Sequence, residues 1–306
     1  MAGIINTGST PKLLWPGLNA LYGMTYNQHV VEWTEFLDKH TSDKNYEEDV
    51  GLTGTGLFKE KVSGGAIEYD SMKQSYITRY THVVWALGYI ITREEMEDVL
   101  YPQFGAQRTK QLAFSANQTK EIVAANVLNN AFSNSHLGGD GVCMISNQHP
   151  LSGGGYGSNA LDVDTDLSEA ALEEALIKIG SLVDDRGKKI NIMGMKLIVP
   201  IQLQFEAQRI LGNPERPGTA ERDINAMYQM GKLSQGWALN HYLDDPDAWY
   251  IKTNCPDGMK LFQRRENQFE QDNDFDTENG KFKSTERYSV GCTDWRGVFG
   301  SQGAGA

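Results

Sequence analysis

Between Gln74 and Phe132 the chain passes from a long alternating segment directly into a long helical one. From Ser75 to Ile91, Tyr76, Thr78, Tyr80, His82 and Val84 share one face, while Ile77, Arg79, Thr81, Val83, Trp85, Leu87, Tyr89 and Ile91 share the other. Period-two alternation rich in β-branched and aromatic residues predicts a strand. At ~3.3 Å per residue it would reach about 55 Å, against roughly 20 Å for an ordinary strand, so it should project from its domain.

Upstream, Leu57–Val62 and Ile67–Tyr69 flank Ser63-Gly64-Gly65, whose glycines can supply the positive φ of a tight reversal. The expectation is a long hairpin with its tip within Ser63–Lys73. Downstream, Thr92 is placed to cap a helix whose first turn carries Glu94, Glu95, Glu97 and Asp98, acids favoured by the positive end of the helix dipole. Pro102 and Gly105 predict a kink or interruption. Ala106–Phe132 then lacks proline and glycine, and Leu112, Ala116, Val123, Val127 and Ala131 with Ile122, Leu128 and Phe132 form an apolar stripe. That helix would span about 40 Å.

An isolated two-stranded hairpin is marginal in water, and this one carries Ile67, Tyr69, Met72, Tyr76 and Ile77. Either it folds back on its own domain or another molecule covers it. Burying about five such side chains at ~1.5–3 kcal/mol each would be worth of order 10 kcal/mol before ordering costs.

The 306 residues, with 40% hydrophobic and 22% charged, fit a globular chain long enough for two domains. The sequence has no run of eighteen apolar residues, and its first thirty residues lack the order of a secretory signal, so it is expected to be soluble, free of membrane and not exported. Cys143, Cys255 and Cys292 are widely spaced and indicate neither a disulfide framework nor a zinc site. A formal charge of −12 argues against tight binding of a phosphate backbone.

Along the chain, Gly3, Gly8, Pro11, Pro16 and Gly17 interrupt the apolar Leu13, Leu14, Trp15 and Leu18. This predicts an arm that packs on its own domain or on something else, followed by a short helical piece around Val30–His40. Gly138-Gly139-Asp140-Gly141 and Ser152-Gly153-Gly154-Gly155 lack both the Walker lysine and the dinucleotide spacing, and read as loops at a domain junction. A helix is expected from Asp166 or Ser168 to about Gly187, then a strand at Met195–Val199, a helix at Ile201–Leu211, a helix at Arg222–Met230 and a strand at Trp237–Leu243. This mixture between Asp164 and Asp245 predicts a compact second domain. Strand character returns in Trp249–Thr253, Met259–Gln263 and Lys281–Val290.

Candidate chemistry is sparse. Asp162, Asp164, Asp166 and Glu173 approach a calcium-loop template, but Leu167 stands where glycine is needed. Asp272, Asp274 and Asp276 fit it less well, and Asp244, Asp245 and Asp247 around Pro246 read as a turn. The six histidines are scattered, without zinc or acyl-transfer spacing. No residue is assigned a catalytic, cofactor or metal role.

Taken together, these segments resemble the major capsid proteins of tailed bacteriophages, in particular the Mu-like head subunits with the HK-97-like fold. The likeness is carried by Arg79-Tyr80-Thr81-His82, Gly88-Tyr89-Ile90-Ile91-Thr92-Arg93-Glu94, Asn126-Val127-Leu128-Asn129-Asn130-Ala131-Phe132, Gly139-Asp140-Gly141 and Asn147-Gln148-His149-Pro150-Leu151. It continues through Pro217-Gly218-Thr219-Ala220, Asp223-Ile224-Asn225-Ala226, Asp244-Asp245-Pro246-Asp247-Ala248-Trp249, Asp272-Asn273-Asp274-Phe275-Asp276, Glu286-Arg287-Tyr288-Ser289 and Asp294-Trp295-Arg296-Gly297.

The resemblance implies an α+β subunit: an N-terminal arm (1–50), an extended β-hairpin loop (51–91), a peripheral domain with a long spine helix (92–163 and 246–306) and an axial α/β domain (164–245). The terminal strands Trp249–Phe299 would complete the peripheral sheet. The hairpin would be covered by a neighbouring subunit, making Leu13, Leu14, Trp15, Ile67, Tyr69, Met72, Tyr76 and Ile77 the candidates for contact between subunits. Function would be structural: hexamers and pentamers forming an icosahedral head around double-stranded DNA, assembled in the host cytoplasm. The implied partners are further copies, a portal protein, a separate scaffolding protein and a cement protein. Lys61 and Lys73 lie in no matching motif, so covalent cross-linking is not carried over. The alternatives are an encapsulin-like compartment and a soluble α/β enzyme.

Overall fold

A computed structural model describes residues 15–94, 101–215, 224–274 and 279–304. Two four-stranded sheets organise it, beside a small ladder of β5 (His149–Pro150) and β6 (Tyr156–Gly157). In the first, β1 (Asp38–Thr41), β4 (Val83–Ile91), β10 (Met259–Asn273) and β11 (Gly280–Cys292) lie in the order β1-β10-β11-β4. The long antiparallel pair β10–β11 is its centre, β1 joins β10 in parallel, and β4 runs antiparallel to β11 from Tyr288↔Val83 to Gly280↔Ile91. β4 is therefore a rim strand, and Val83, Val84, Trp85, Leu87 and Ile90 on it face water.

The spine helix α2 (Tyr101–Asn129) lies across this sheet. Its alanines Ala113, Ala124 and Ala125 are fully buried, which lets its backbone come close to its neighbours. Trp33, Phe36 and Leu37 pack with Leu128, Leu261 and Tyr288 at one end of the layer. At the other end, Leu18 and Tyr22 of α1 (Trp15–Gln28) pack with Leu112, Phe269 and Phe282.

The layer also holds an ion pair: the Lys120 ammonium donates to Glu286 at 2.6 Å and to Gln263 at 2.8 Å, with all three side chains buried. Beside it, the Glu121 carboxylate accepts the backbone N–H groups of Glu32 and Trp33 at 2.9 and 3.0 Å. It thereby caps the single turn Trp33–Glu35 from another element. Burial, aided by the neighbouring Glu32 charge, pushes the Glu121 carboxyl up to about 7.

The second sheet has the order β12-β9-β7-β8, from β7 (Gly194–Val199), β8 (Trp237–Leu239), β9 (Trp249–Thr253) and β12 (Val298–Ser301). Around it stand α3 (Glu169–Gly180), α4 (Gln204–Gly212) and α5 (Ala226–Met230), burying Leu172, Ile179, Leu197, Ile210, Met227 and Phe299 in one core. The Ser168 side chain accepts the Ala171 N–H and starts α3, as its sequence suggests.

Several expectations are corrected. The single long strand is two: β3 (Gln74–Thr81) pairs with β2 (Tyr46–Leu52), whereas β4 belongs to the first sheet. The break falls at His82, a buried imidazole whose two nitrogens meet Ser289 Oγ at 2.9 Å and Ser42 Oγ at 3.0 Å. Side-chain period is blind to a change of pairing partner, so the alternation runs through unbroken.

Trp15–Gln28 is a helix despite its proline and glycines. Pro16 sits in the first turn, where an N–H is not required, and Gly17 and Gly23 face open space. Val30–His40 is a single 3₁₀ turn followed by β1. The spine helix runs through Gly105, whose carbonyl takes a hydrogen bond from Thr109 Oγ1 at 2.7 Å. The helix expected to reach Gly187 ends at Gly180, and Gly187 instead takes a φ of 77° in a following turn. The terminal strands divide: β10 and β11 join the spine, but β9 and β12 pair into the second sheet. Glu95, Glu97 and Asp98, Pro217–Ala220, Arg222 and Asp223, and Phe275 and Asp276 lie outside the described residues.

Candidate assembly interface

The hairpin begins at the β2–β3 ladder, paired from Tyr46↔Thr81 to Leu52↔Gln74. One further pair closes its base, with Thr53 and Lys73 exchanging backbone and side-chain hydrogen bonds. Beyond that the two arms run without a regular ladder to a turn in which Gly65 N–H donates to Val62 carbonyl at 2.9 Å. Gly64 has a φ of 81° there, a conformation that favours glycine. The tip lies within the span expected from the sequence.

Leu57, Phe58, Val62, Ile67, Tyr69 and Met72 all stand in solvent, with Phe58 fully exposed and Tyr69 at 94%. Single exposed apolar residues are ordinary, whereas here six lie together on one element. Ile77, on β3, is also exposed. Tyr76 differs: it is half-buried over Gly139, where an added Cβ would come within 2.9 Å of its ring, and burial pushes its phenol far up. Tyr76 therefore packs in large part on its own chain. Leu13 and Leu14 lie outside the described residues, as does the side chain of Trp15.

The root of the hairpin is held firmly. The Tyr80 and Thr293 hydroxyls share a hydrogen bond of 2.6 Å, and Thr293 donates to Asp49 at 2.8 Å. Lys260 bridges Asp49 at 2.7 Å and Asp257 at 2.6 Å. Burial opposes the Lys260 charge, but these carboxylates outweigh it and hold the ammonium above its ordinary range.

Behind the root, three stretches of the chain converge on a fully buried His149. Its Nδ1 meets Asp140 at 2.6 Å, its Nε2 meets Asn159 Oδ1 at 3.1 Å, and its ring stacks on Trp295. The Asn159 amide faces the carbonyls of Met144, Trp295 and Val298, tying the loop to the end of the chain. The Arg296 guanidinium lies 4.3 Å over the Trp295 ring and pairs with Asp185 at 2.8 Å. Gly157 passes beneath the indole, where a Cβ would come within 2.5 Å of it. These contacts join segments and present no reactive group to solvent. Asn159 and Asp185 were not singled out by sequence reasoning, which has no signal for a lone amide or acid that acts through distant carbonyls and cations.

The aspartates of the calcium-like stretch have other partners. Asp162 pairs with Lys178 at 2.7 Å, and Asp166 accepts the Ala304 N–H at 2.7 Å. Among the described residues no cluster of three potential ligands occurs. Burial pushes the Cys255 and Cys292 thiols well up, away from nucleophilic thiolate.

A spine helix over one sheet, a second α/β layer and a long hairpin thrown out between them make the HK-97-like capsid fold. The same arrangement is found, over nearly whole chains, in a virus-like particle from Pyrococcus furiosus (TM-score 0.51, 10% identity, 94% of this chain and 98% of that one). It recurs in Mycobacterium phage Che8 (TM-score 0.52, 13% identity, 89% and 90%) and in the capsid of a native GTA particle (TM-score 0.52, 11% identity, 98% and 91%). At such identities the likeness speaks of fold alone. No curated protein matches the sequence significantly. The phage capsid protein family model matches residues 75–301, and the chain belongs to that family.

Proposed function

We propose that this chain is the major head subunit of a tailed bacteriophage of the Mu-like kind, building an icosahedral shell around double-stranded DNA through pentamers and hexamers. The observation that carries the reading is the hairpin: a root pinned by buried and half-buried hydrogen bonds and a tip whose apolar side chains have no cover among the described residues. A contact of that kind, repeated under closed symmetry, specifies an assembly.

In this reading the peripheral domain comprises the sheet β1-β10-β11-β4 with α1 and α2. The axial domain comprises β7, β8, β9 and β12 with α3 to α5. Residues 15–45, ahead of β2, are an arm continuous with the peripheral domain. Leu57, Phe58, Val62, Ile67, Tyr69, Met72 and Ile77 meet a neighbouring copy. A portal protein, a separate scaffolding protein and a cement protein are the further partners, and the finished subunit resides in the virion after assembly in the host cytoplasm. The charge of −12 suits a container wall that lets its genome leave.

Negative-stain electron microscopy of the purified chain, alone and with a scaffolding partner, tests this reading. Closed shells of uniform diameter are expected. A chain that stays near 34.1 kDa under all conditions would sink it. Shells that package a protein cargo and no DNA would favour a compartment instead.

A further inference from the structure

Past the Thr53–Lys73 pair, the hairpin meets a second element of its own chain, the turn Asp184–Lys188. This turn is braced internally: Asp184 N–H donates to Lys188 carbonyl at 2.8 Å, Gly187 N–H to Asp184 carbonyl at 3.0 Å, and the Asp184 carboxylate takes the N–H groups of Arg186 and Lys188 at 2.8 and 2.9 Å. It is fixed to the body through Arg296, which donates to Val183 carbonyl at 2.9 Å and to the Asp185 carboxylate at 2.8 Å, and through Gly153 N–H to Asp185 carbonyl at 2.8 Å.

From this base two cations reach the hairpin. Arg186 donates to the Asp70 carboxylate at 2.6 Å and also to Ser71 carbonyl, while Lys188 donates to Thr55 carbonyl. The same Asp70 oxygen accepts the Gly56 N–H at 2.6 Å, so Asp70 links the outgoing arm to the returning one at the point where Arg186 holds both. Beyond it, the Lys59–Glu68 pair joins one arm to the other, and among the described residues no hydrogen bond or ion pair ties 57–69 to the body. The hairpin is thus divided into a held half and a free half, with the division just short of Leu57 and Tyr69.

We propose that the turn Asp184–Lys188 is a clasp that fixes the direction in which the hairpin leaves the subunit, so that its apolar tip is aimed before a neighbour arrives. This rests on the shell reading above. A pre-aimed tip loses less freedom on docking, which lowers the subunit concentration at which assembly sets in. The Arg186–Asp70 pair of the clasp is partly exposed, so salt weakens it, whereas the apolar contacts of the tip are not screened.

The test compares unassembled wild type with R186A/K188A by hydrogen–deuterium exchange over residues 53–73, then follows assembly by light scattering. The double variant is expected to exchange about five-fold faster there, and its assembly threshold to rise about five-fold. Wild type in 1 M salt is expected to exchange faster than at low salt but more slowly than the variant, because the hydrogen bonds to the Ser71 and Thr55 carbonyls persist. D70R alone, which sets two cations against each other, is expected to speed exchange, and D70R/R186D, which pairs opposite charges again, to slow it relative to D70R, which separates loss of the clasp from a general loosening. Unchanged exchange in R186A/K188A would overturn the proposal, as would faster exchange with an unchanged assembly threshold. A wild-type chain that forms no shell at any concentration would instead remove the shell reading, whatever the exchange rates.

Discussion

The imidazole of His149 lies flat on the indole of Trp295, with ring centroids 4.4 Å apart and planes within 1° of parallel. The pair is fully enclosed, and it locks the loop that carries Asp140 against the last turn before β12. His149→Ala is expected to destabilise the subunit by about 2–4 kcal/mol, since it opens a cavity and leaves the Asp140 carboxylate short of a donor. Gly157→Ala should also destabilise it, because its methyl would enter the space of the indole. Urea denaturation of both variants measures these losses.

Lys120→Met should be among the most damaging changes in the spine helix. It would strand the buried Glu286 carboxylate, and breaking one side of such a pair costs about 3–5 kcal/mol. The double change Lys120→Met with Glu286→Leu is expected to be less destabilising than Lys120→Met alone. A double-mutant cycle by denaturant unfolding checks the sign of the coupling.

Glu121 gives the fold a pH dependence. Its carboxyl titrates at about 7 in the folded chain against 4.5 ordinarily, so the folded state holds this proton more tightly than the unfolded one. The associated stability is fully present below about pH 4.5 and is lost as pH rises through about 7, up to roughly 3 kcal/mol in all. Glu121→Gln should flatten the stability profile between pH 5 and 8 relative to wild type. Thermal or urea unfolding across that range reads the difference.

At the hairpin, folding and assembly should separate. Phe58→Ser with Tyr69→Ser removes two exposed rings and is expected to leave subunit stability within about 0.5 kcal/mol of wild type. The same change should abolish shell formation in light scattering and electron microscopy. Ile77→Asp is expected to behave likewise, since its side chain is exposed and free of the core.

The hairpin and spine helix were legible because both rest on local signals: alternation and a glycine turn in one, an apolar stripe without breakers in the other. What escaped was non-local or positional. His82 looks like one more residue of an alternating strand, yet Ser42 and Ser289 converge on it and the chain changes sheets there. Pro16 and Gly17 read as breakers, although they sit at a helix start, with Gly17 facing open space, where they cost little. β9 and β12 have the composition of any buried strand, and only pairing with β7 assigns them to the second layer. Asp140, His149, Trp295 and Arg296 were noticed as parts of family motifs, but Asn159, which draws them together, carries no motif at all.

The bare rim formed by β4 bears on how such a subunit must be produced. Val83, Val84, Trp85, Leu87 and Ile90 carry no charge or proline against edge-to-edge pairing with a stray chain, and among the described residues Arg108, bonded to the Ile90 carbonyl at 3.1 Å, brings a charge only to one end of this rim. Molecules made faster than they can be built into a wall will therefore clump, and supply has to keep step with construction. Over-expression without companions is expected to leave most of the material in the pellet.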